Sequence, residues 1–553
     1  MVIAITGIGI VSPLGIGQKE NRSRLIDGRS AVSQPRYLAT SHKEWPIGEV
    51  RYSNGELAEI LKLGDMEYSR NILLGLLALH EALDDAGLTS EMKKEIPIVN
   101  GSTVGGMDLI EEHYAEWIEG RVETLHLINQ HEVDYTTNEL VRLCGLKYGV
   151  TVSTACSSAL NAIIHGAGLL RNGDAHRVIV GGTEAMTRFH LNGFSSLGIL
   201  SNTTCRPFQD DRDGINLGEG AAFLVLENAE SALERGAKIY GYLAGYGNKC
   251  DAYHQTASSP DGDGAFAAMT EALEMACVSS QQIDYINAHG TATPNNDASE
   301  LRAFERVFQH GIPHFESTKS LTGHTTSASG SIEAIFSLFR MEENNYNNVI
   351  SNAFGFGGND SSIVISREPK DLPSAEADME ICCSQLHISG GELEYKPYIS
   401  SMQSRRMTAM VRQLIVVARE ALADAGIDCP DGIVVGTRFG GMIPTLQLLD
   451  NLVANGECDF SPALFMNSTH NSAAGTLARY LCCKGYNNTV VSAEDAFITA
   501  CNDAKLALQS FSGIRNILVC SYEEIGPKWS SLLDRRGICI TSGVKAQVFW
   551  VGK

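Results

Sequence analysis

The chain has 553 residues, 44% hydrophobic and 20% charged, which excludes intrinsic disorder and leaves room for several buried cores or one large α/β body. Its 43 basic against 65 acidic residues give a formal charge of -22, which disfavours nonspecific binding to nucleic acid or an anionic membrane and requires any acidic partner to meet a local basic patch. The longest apolar stretches, such as Ile72 to Leu79, fall short of a membrane span, and the N-terminus lacks the basic region and cleavage site of a secretion signal, so a cytoplasmic protein is expected.

Val2 to Thr6 opens the chain as a short buried strand. The Gly7-Ile-Gly9 that follows has the start of a dinucleotide fingerprint but lacks its third glycine, with Ser12 further on, so no nucleotide cofactor is implied. Thr151-Val-Ser-Thr-Ala-Cys156-Ser-Ser-Ala-Leu160 is a β-prone run, then small residues around a cysteine, then the start of an Ala-rich helix, which places Cys156 at a strand-to-helix turn. At such a helix N-terminus the unpaired N–H groups favour thiolate, lowering a free-cysteine pKa of about 8.5 and making a competent nucleophile. The plain alternative is a small buried residue. Val178 to Val180 and Ile363 to Ile365 read as further buried strands among Ala-rich or amphipathic helical segments, which gives an α/β class.

Two segments each end a strand-like run with a histidine beside glycine and hydroxyl residues: Asn287-Ala-His289-Gly-Thr291-Ala-Thr293-Pro294 and Ser317-Thr-Lys319-Ser-Leu-Thr-Gly323-His324. Singly each is an ordinary histidine among fifteen; with Cys156 they make a pattern. Composition then shifts, and residues 367–395 are expected to be a linker. Within it, Cys382, Cys383 and His387 come nearest to a metal cluster but read as incidental. Fourteen scattered cysteines without paired C-x-x-C elements argue against a disulfide framework or a structural zinc site.

Beyond that point the chain repeats itself. Glu81-Ala-Leu-Asp-Asp-Ala-Gly87 matches Glu420-Ala-Leu-Ala-Asp-Ala-Gly426 at an offset of 339, Gly105-Gly-Met107 matches Gly440-Gly-Met442, and Thr151-Val152 matches Thr489-Val490. The repeat is a half, because nothing after Lys505 resembles the histidine segments. In it the position of Cys156 falls on Glu494, so residues 396–553 lack a nucleophile there.

Residues 1 to about 366 resemble the elongating β-ketoacyl-acyl-carrier-protein synthases. The resemblance rests on Thr6-Gly-Ile-Gly-Ile-Val-Ser-Pro-Leu-Gly15, the cysteine segment, Gly181-Gly-Thr-Glu-Ala-Met186, Arg212-Asp-Gly214 with Gly218-Glu-Gly220, both histidine segments, and Ser351-Asn-Ala-Phe-Gly-Phe-Gly-Gly358. It implies a thiolase-like duplicated α-β-α layered fold followed by a second partial copy: a catalytic domain at 1–366, the linker at 367–395, and a degenerate synthase-like N-terminal half at 396–553, similar to a chain-length factor. His470, in Ser468-Thr-His-Asn-Ser-Ala-Ala-Gly475, reads as structural.

The resemblance also assigns roles. Cys156 accepts the acyl chain, and His289 and His324 receive the malonyl thioester for decarboxylative condensation, a Cys-His-His set that favours elongation over initiation. The backbone N–H groups of Cys156 and Phe356 form an oxyanion hole, with Phe356 as gate. Lys319 and Glu333 support His324, Thr291 and Thr293 meet the phosphopantetheine arm, and Arg206 stands at the carrier-protein entrance. No bound cofactor and no metal are implied, the phosphopantetheine arm being supplied by the acyl carrier protein.

The expected partners are that carrier, its acyl and malonyl thioesters, and either a second chain in a homodimer or the degenerate copy in a pseudo-dimer that shapes the acyl tunnel. Two departures stand out: Leu61-Lys-Leu-Gly-Asp-Met-Glu67 carries little positive charge, and the segment between Arg340 and Ser351 is shorter than in the family by roughly 20 to 30 residues. Fatty acid and polyene or polyketide synthesis both remain open as the pathway. A non-catalytic assembly subunit and a thiolase using acyl-CoA are the rival readings.

Overall fold

The computed structural model describes residues 1–552 apart from 65, 374–378, 392 and 539. Position 65 of the charge-poor stretch and positions 374–378 and 392 of the expected linker therefore lie outside the described residues.

The first unit contributes strands β1 (Ile3–Ser12), β2 (Ile98–Gly101), β3 (Gly149–Val152), β4 (Arg177–Glu184) and β5 (Gly220–Asn228), with helices α1 (Arg70–Asp85), α2 (Met107–Ile118), α3 (Ser158–Asn172) and α4 (Arg188–Ser196). The sheet order is β3-β2-β4-β5-β1, parallel across the first two junctions and antiparallel across the last two. β1 is buried along its whole length because α1 lies directly upon it. A Cβ on Gly9 would meet the carbonyl oxygen of Ala78 at 2.0 Å, so the glycines that resemble a nucleotide motif are there for helix packing. Glu81 and Asp85 of α1 receive the backbone N–H groups of Ile10 and Ile8, both at 2.9 Å.

The second unit has β6 (Gly241–Cys250), β7 (Tyr285–Asn287), β8 (His314–Glu316), β9 (Asn348–Gly355) and β10 (Asn359–Ser366), with α5 (Asp263–Ala276), α6 (Pro294–Val307) and α7 (Ser329–Asn344). Its sheet runs β8-β7-β9-β10-β6 with the same sequence of parallel and antiparallel junctions. α3 and α7 are buried on nearly every face and pack on each other in the middle layer. Only three residues separate α7 from β9.

The third unit comprises β11 (Ile381–Cys383), β12 (His387–Ser389), β13 (Gly432–Thr437), β14 (Tyr486–Val491), β15 (Asn516–Glu523) and β16 (Gly543–Val551), with α8 (Ala409–Ala425), α9 (Met442–Asn455), α10 (Pro462–Ser468), α11 (Ser472–Leu481) and α12 (Ala496–Ser510). The order is again β14-β13-β15-β16, with β11 and β12 together taking the place that β1 holds in the first unit. This corrects the linker expectation for part of 367–395. Asp424, the counterpart of Asp85, even receives the N–H of Gln385 at 3.0 Å, as Asp85 does that of Ile8.

The third unit joins the first edge to edge: β14 pairs antiparallel with β3, Val490 opposite Val152 and Val491 opposite Thr151. Val490 is the repeat counterpart of Val152, and a residue paired with its own counterpart marks a local two-fold axis. Arg438 clamps the junction through two 2.6 Å bonds to Glu132, and Asn248 exchanges bonds of 2.9 and 3.1 Å with the backbone of Asn487. No helix among the described residues is long and apolar enough to cross a membrane.

Candidate active site

Cys156 sits in a single turn, Ala155–Ser157, between β3 and α3, as the strand-then-small-residue pattern predicts. Ala155 adopts φ 54°, a left-handed conformation that side chains avoid, and the turn is held against it by side-chain bonds. Ser157 Oγ donates to Asn359 Oδ1 at 2.7 Å, and Asn161 Nδ2 donates to the same oxygen at 2.7 Å and to Thr154 Oγ1 at 2.8 Å.

The expectation of a lowered thiol pKa does not hold. Burial pushes Cys156 up to about 12, and the Lys319 charge and the backbone N–H groups of Phe356 and Cys156 only partly offset it. A cysteine only 5% exposed loses more hydration as a thiolate than one helix end returns. In the third unit the matching turn before α12 carries Glu494, exposed to solvent.

His289 follows β7, and Glu300 on α6 fixes its loop by accepting the N–H groups of His289 and Gly290, each at 2.8 Å. His324 follows the short helix Lys319–Thr322, and its own N–H donates to Asn216 O at 2.7 Å. His324 O in turn accepts the N–H of Gly218 at 2.8 Å, so both sides of the residue are pinned. The two imidazoles meet edge to face with ring centroids 5.4 Å apart. Burial, with the Lys319 charge adding to it, holds both well below the ordinary histidine pKa, so both rings are neutral. Nδ1 of His289 and both ring nitrogens of His324 have no hydrogen-bond partner among the described residues. Lys319 Nζ lies 2.5 Å from Glu333 Oε1 in a fully buried pair, and burial raises Glu333 to about 7 against the pull of that lysine.

Cys156, His289, His324, Thr291, Thr293 and Phe356 all line one open cavity of about 340 Å³. Thr291 and Thr293 share a 2.8 Å bond between their hydroxyls. Arg206 stands apart from this lining: it is taken up by Asp211 at 3.2 Å and Asp213 at 3.6 Å.

A second cavity of about 60 Å³ opens on the other side of Cys156 and Phe356, and the third unit supplies much of its wall: Phe439, Thr445, Phe465, Ser468, Thr469 and His470. His470, read from sequence as structural, therefore lines the space behind Cys156. Phe465 lies over Gly193 of α4, where a Cβ would meet its ring at 2.2 Å, and its ring centroid is 5.5 Å from that of Phe194. Asn471 Nδ2 donates to Phe356 O at 2.7 Å, so the third unit also holds the loop that carries Phe356.

Sequence reasoning missed Glu300, Asn359, Phe465 and Asn471. A signal for Glu300 exists, since Pro294 starts a helix on which Asp297 and Glu300 share the face turned back to the histidine loop. Phe465 and Asn471 carry no local signal, because only the β3–β14 pairing brings them near.

Comparison with known proteins gives three family matches. The Beta-ketoacyl synthase N-terminal domain matches residues 1–232, its C-terminal domain matches 240–351, and a second Beta-ketoacyl synthase N-terminal domain matches 386–542. The 3-oxoacyl-[acyl-carrier-protein] synthase 2 of Staphylococcus aureus (strain COL) is 35% identical over 356 residues, 62% of this chain and 86% of that protein. A solved structure described as PfaC Keto synthase-Chain length factor aligns with 100% of this chain and 78% of its own, at TM-score 0.79 and 17% identity, a likeness of fold. A ketosynthase and its chain length factor from Xenorhabdus doucetiae align over 66% of this chain and 98% of the solved one, at TM-score 0.58 and 28% identity.

Proposed function

The chain belongs to the β-ketoacyl synthase family, and from that membership we propose that it is an elongating condensing enzyme in which Cys156 carries the acyl group and His289 and His324 work on a malonyl thioester. The observation that carries this reading is the convergence of these three side chains on one cavity of about 340 Å³, with both imidazoles neutral.

In the first half-reaction the Cys156 sulfur attacks the carrier-bound thioester. The oxyanion forms beside the backbone N–H groups of Cys156 and Phe356, a kind of donor worth about 10²- to 10³-fold each. The carbon–sulfur bond to the carrier then breaks, and the proton lost by Cys156 ends on the departing phosphopantetheine thiol. Because burial favours the thiol of Cys156, proton loss accompanies attack rather than preceding it.

In the second half-reaction malonyl thioester enters through the side lined by Thr291 and Thr293. Neutral His289 and His324 each offer an N–H to its carbonyl oxygen while carbon dioxide leaves, and the enolate carbon attacks the acyl-cysteine. The bond between the Cys156 sulfur and the acyl carbon then breaks, and the departing thiolate takes a proton from water. The Lys319 charge helps burial keep His324 neutral, and Glu333 holds that lysine in place. The third unit, lacking a nucleophile at Glu494, takes the place a partner subunit would hold and closes the acyl cavity, which makes product length its task.

Intact-mass measurement of acyl transfer from acyl-carrier protein, followed by malonyl-carrier addition, tests the reading. Wild type is expected to gain the acyl mass and discharge a β-ketoacyl product, and Cys156→Ala to gain none. An acyl adduct that persists in Cys156→Ala would refute the assignment.

A further inference from the structure

The cavity of about 60 Å³ behind Cys156 is walled by aromatic carbon from Phe189, Phe194, Phe439 and Phe465, and also by three imidazoles, those of His131, His190 and His470. Among the described residues none of their ring nitrogens has a hydrogen-bond partner; the nearest carboxylate, Glu184 Oε1, stands 3.8 Å from His190 Nδ1. Burial lowers His131 to about 3 and His190 and His470 to about 4, so each ring is neutral and offers one N–H and one lone pair.

Most hydroxyls on the same wall have already spent their protons. Thr103 donates to Glu184 Oε1 at 2.7 Å, Thr445 to Gly441 O at 2.8 Å, Ser468 to Phe465 O at 2.7 Å, and Thr469 to Met466 O at 3.4 Å. Thr326 Oγ1 has no partner among the described residues. That hydroxyl is too deeply covered to reach a ligand, so the wall's free donors are the three imidazole N–H groups. A plain hydrocarbon chain drawn in among them would leave those donors unpaired, at roughly one to two decades of affinity apiece. Only an oxygen on the chain answers them. The space itself equals about two water volumes, which suits a chain of a few carbons.

We propose that the acyl group accepted by Cys156 is short and carries a carbonyl or hydroxyl oxygen at its third carbon or beyond, received by His131, His190 and His470. The proposal rests on the acyl-enzyme reading above and adds the class of acyl group to it.

Pantetheine thioesters of equal length test it: 3-oxobutyryl, 3-hydroxybutyryl, butyryl and crotonyl, each scored by the rate of Cys156 acylation in the intact mass. Dividing each rate by that of the same thioester with free cysteine removes differences in intrinsic reactivity. The oxygenated pair is expected to acylate about 10- to 100-fold faster than butyryl. His470→Leu and His131→Leu should erase most of that margin by slowing the oxygenated pair. Butyryl matching 3-oxobutyryl in the wild type would overturn the proposal without need of a variant. Crotonyl matching 3-oxobutyryl while butyryl lags would overturn it too, since the pocket would then read planarity. Acylation by octanoyl-carrier protein but by none of the four would overturn the proposal and leave the acyl-enzyme reading standing, whereas acylation by neither would overturn both.

Discussion

Phe465→Ala should convert a short acyl pocket into a long one. The ring is 3% exposed, lies on Gly193, has Phe194 and Phe189 at centroid distances of 5.5 and 6.2 Å, and lines the cavity behind Cys156. Truncating a fully packed phenylalanine costs about 3–5 kcal/mol, and a ring that already borders a cavity should cost toward the lower end. The vacated space admits roughly three or four methylenes, each worth about 0.8 kcal/mol on burial, or close to fourfold in rate. Octanoyl should therefore gain about 10²-fold on butyryl in the competition for Cys156. The assay is a mixture of butyryl, hexanoyl, octanoyl and decanoyl carriers offered to each protein, with acyl-enzyme masses read before any malonyl carrier is added. A variant that still acylates, with the wild-type order of chain lengths, would refute the idea that the third unit closes the pocket.

Two further outcomes concern charge. Lys319→Met leaves Glu333 buried without its cation. A carboxyl already raised to about 7 is stable when protonated, so the variant should lose more melting temperature at pH 8 than at pH 6, and equal losses would refute the pairing. For the whole protein, Glu111 and Glu300, raised to about 7, and Glu523, raised to about 8, stay protonated in the folded chain where the unfolded chain has released the proton. Their contribution is full below pH 4.5 and is lost as pH rises through 7 and 8. His131, His190 and His470 are lowered, and what they contribute is lost as pH falls below 6.5. Thermal melts from pH 5 to 9 should peak near pH 6 to 6.5, and stability still rising at pH 8.5 would contradict the assignment.

The groups proposed to react were legible because each sits in a local pattern that needs no partner to be read: small residues around Cys156, and Gly and Thr beside each histidine. The repeat was legible for the same reason, through Glu81 to Gly87 and Glu420 to Gly426. Two errors have a shared cause in burial and long-range packing. The helix end near Cys156 suggested a lowered pKa, but the sequence does not say how thoroughly the sulfur is covered. Ile381–Cys383 and His387–Ser389 read as linker because such short strands exist only where β16 offers an edge. Phe465, His470 and Asn471 stand about three hundred residues from Cys156 and just over one hundred from Phe356 along the chain, and reach them through a contact made by β3 and β14.

That same pairing of β3 with β14 changes how the site responds to dilution. Two separate subunits would share such an edge only while their concentration exceeds a dissociation constant, and the acyl pocket would open to water as they parted. Here both edges belong to one covalent chain, so closing the pocket is a unimolecular event set by the effective concentration along the tether. Specific activity should stay level as the protein is diluted, and the ratio of first to third unit is one to one in every chain.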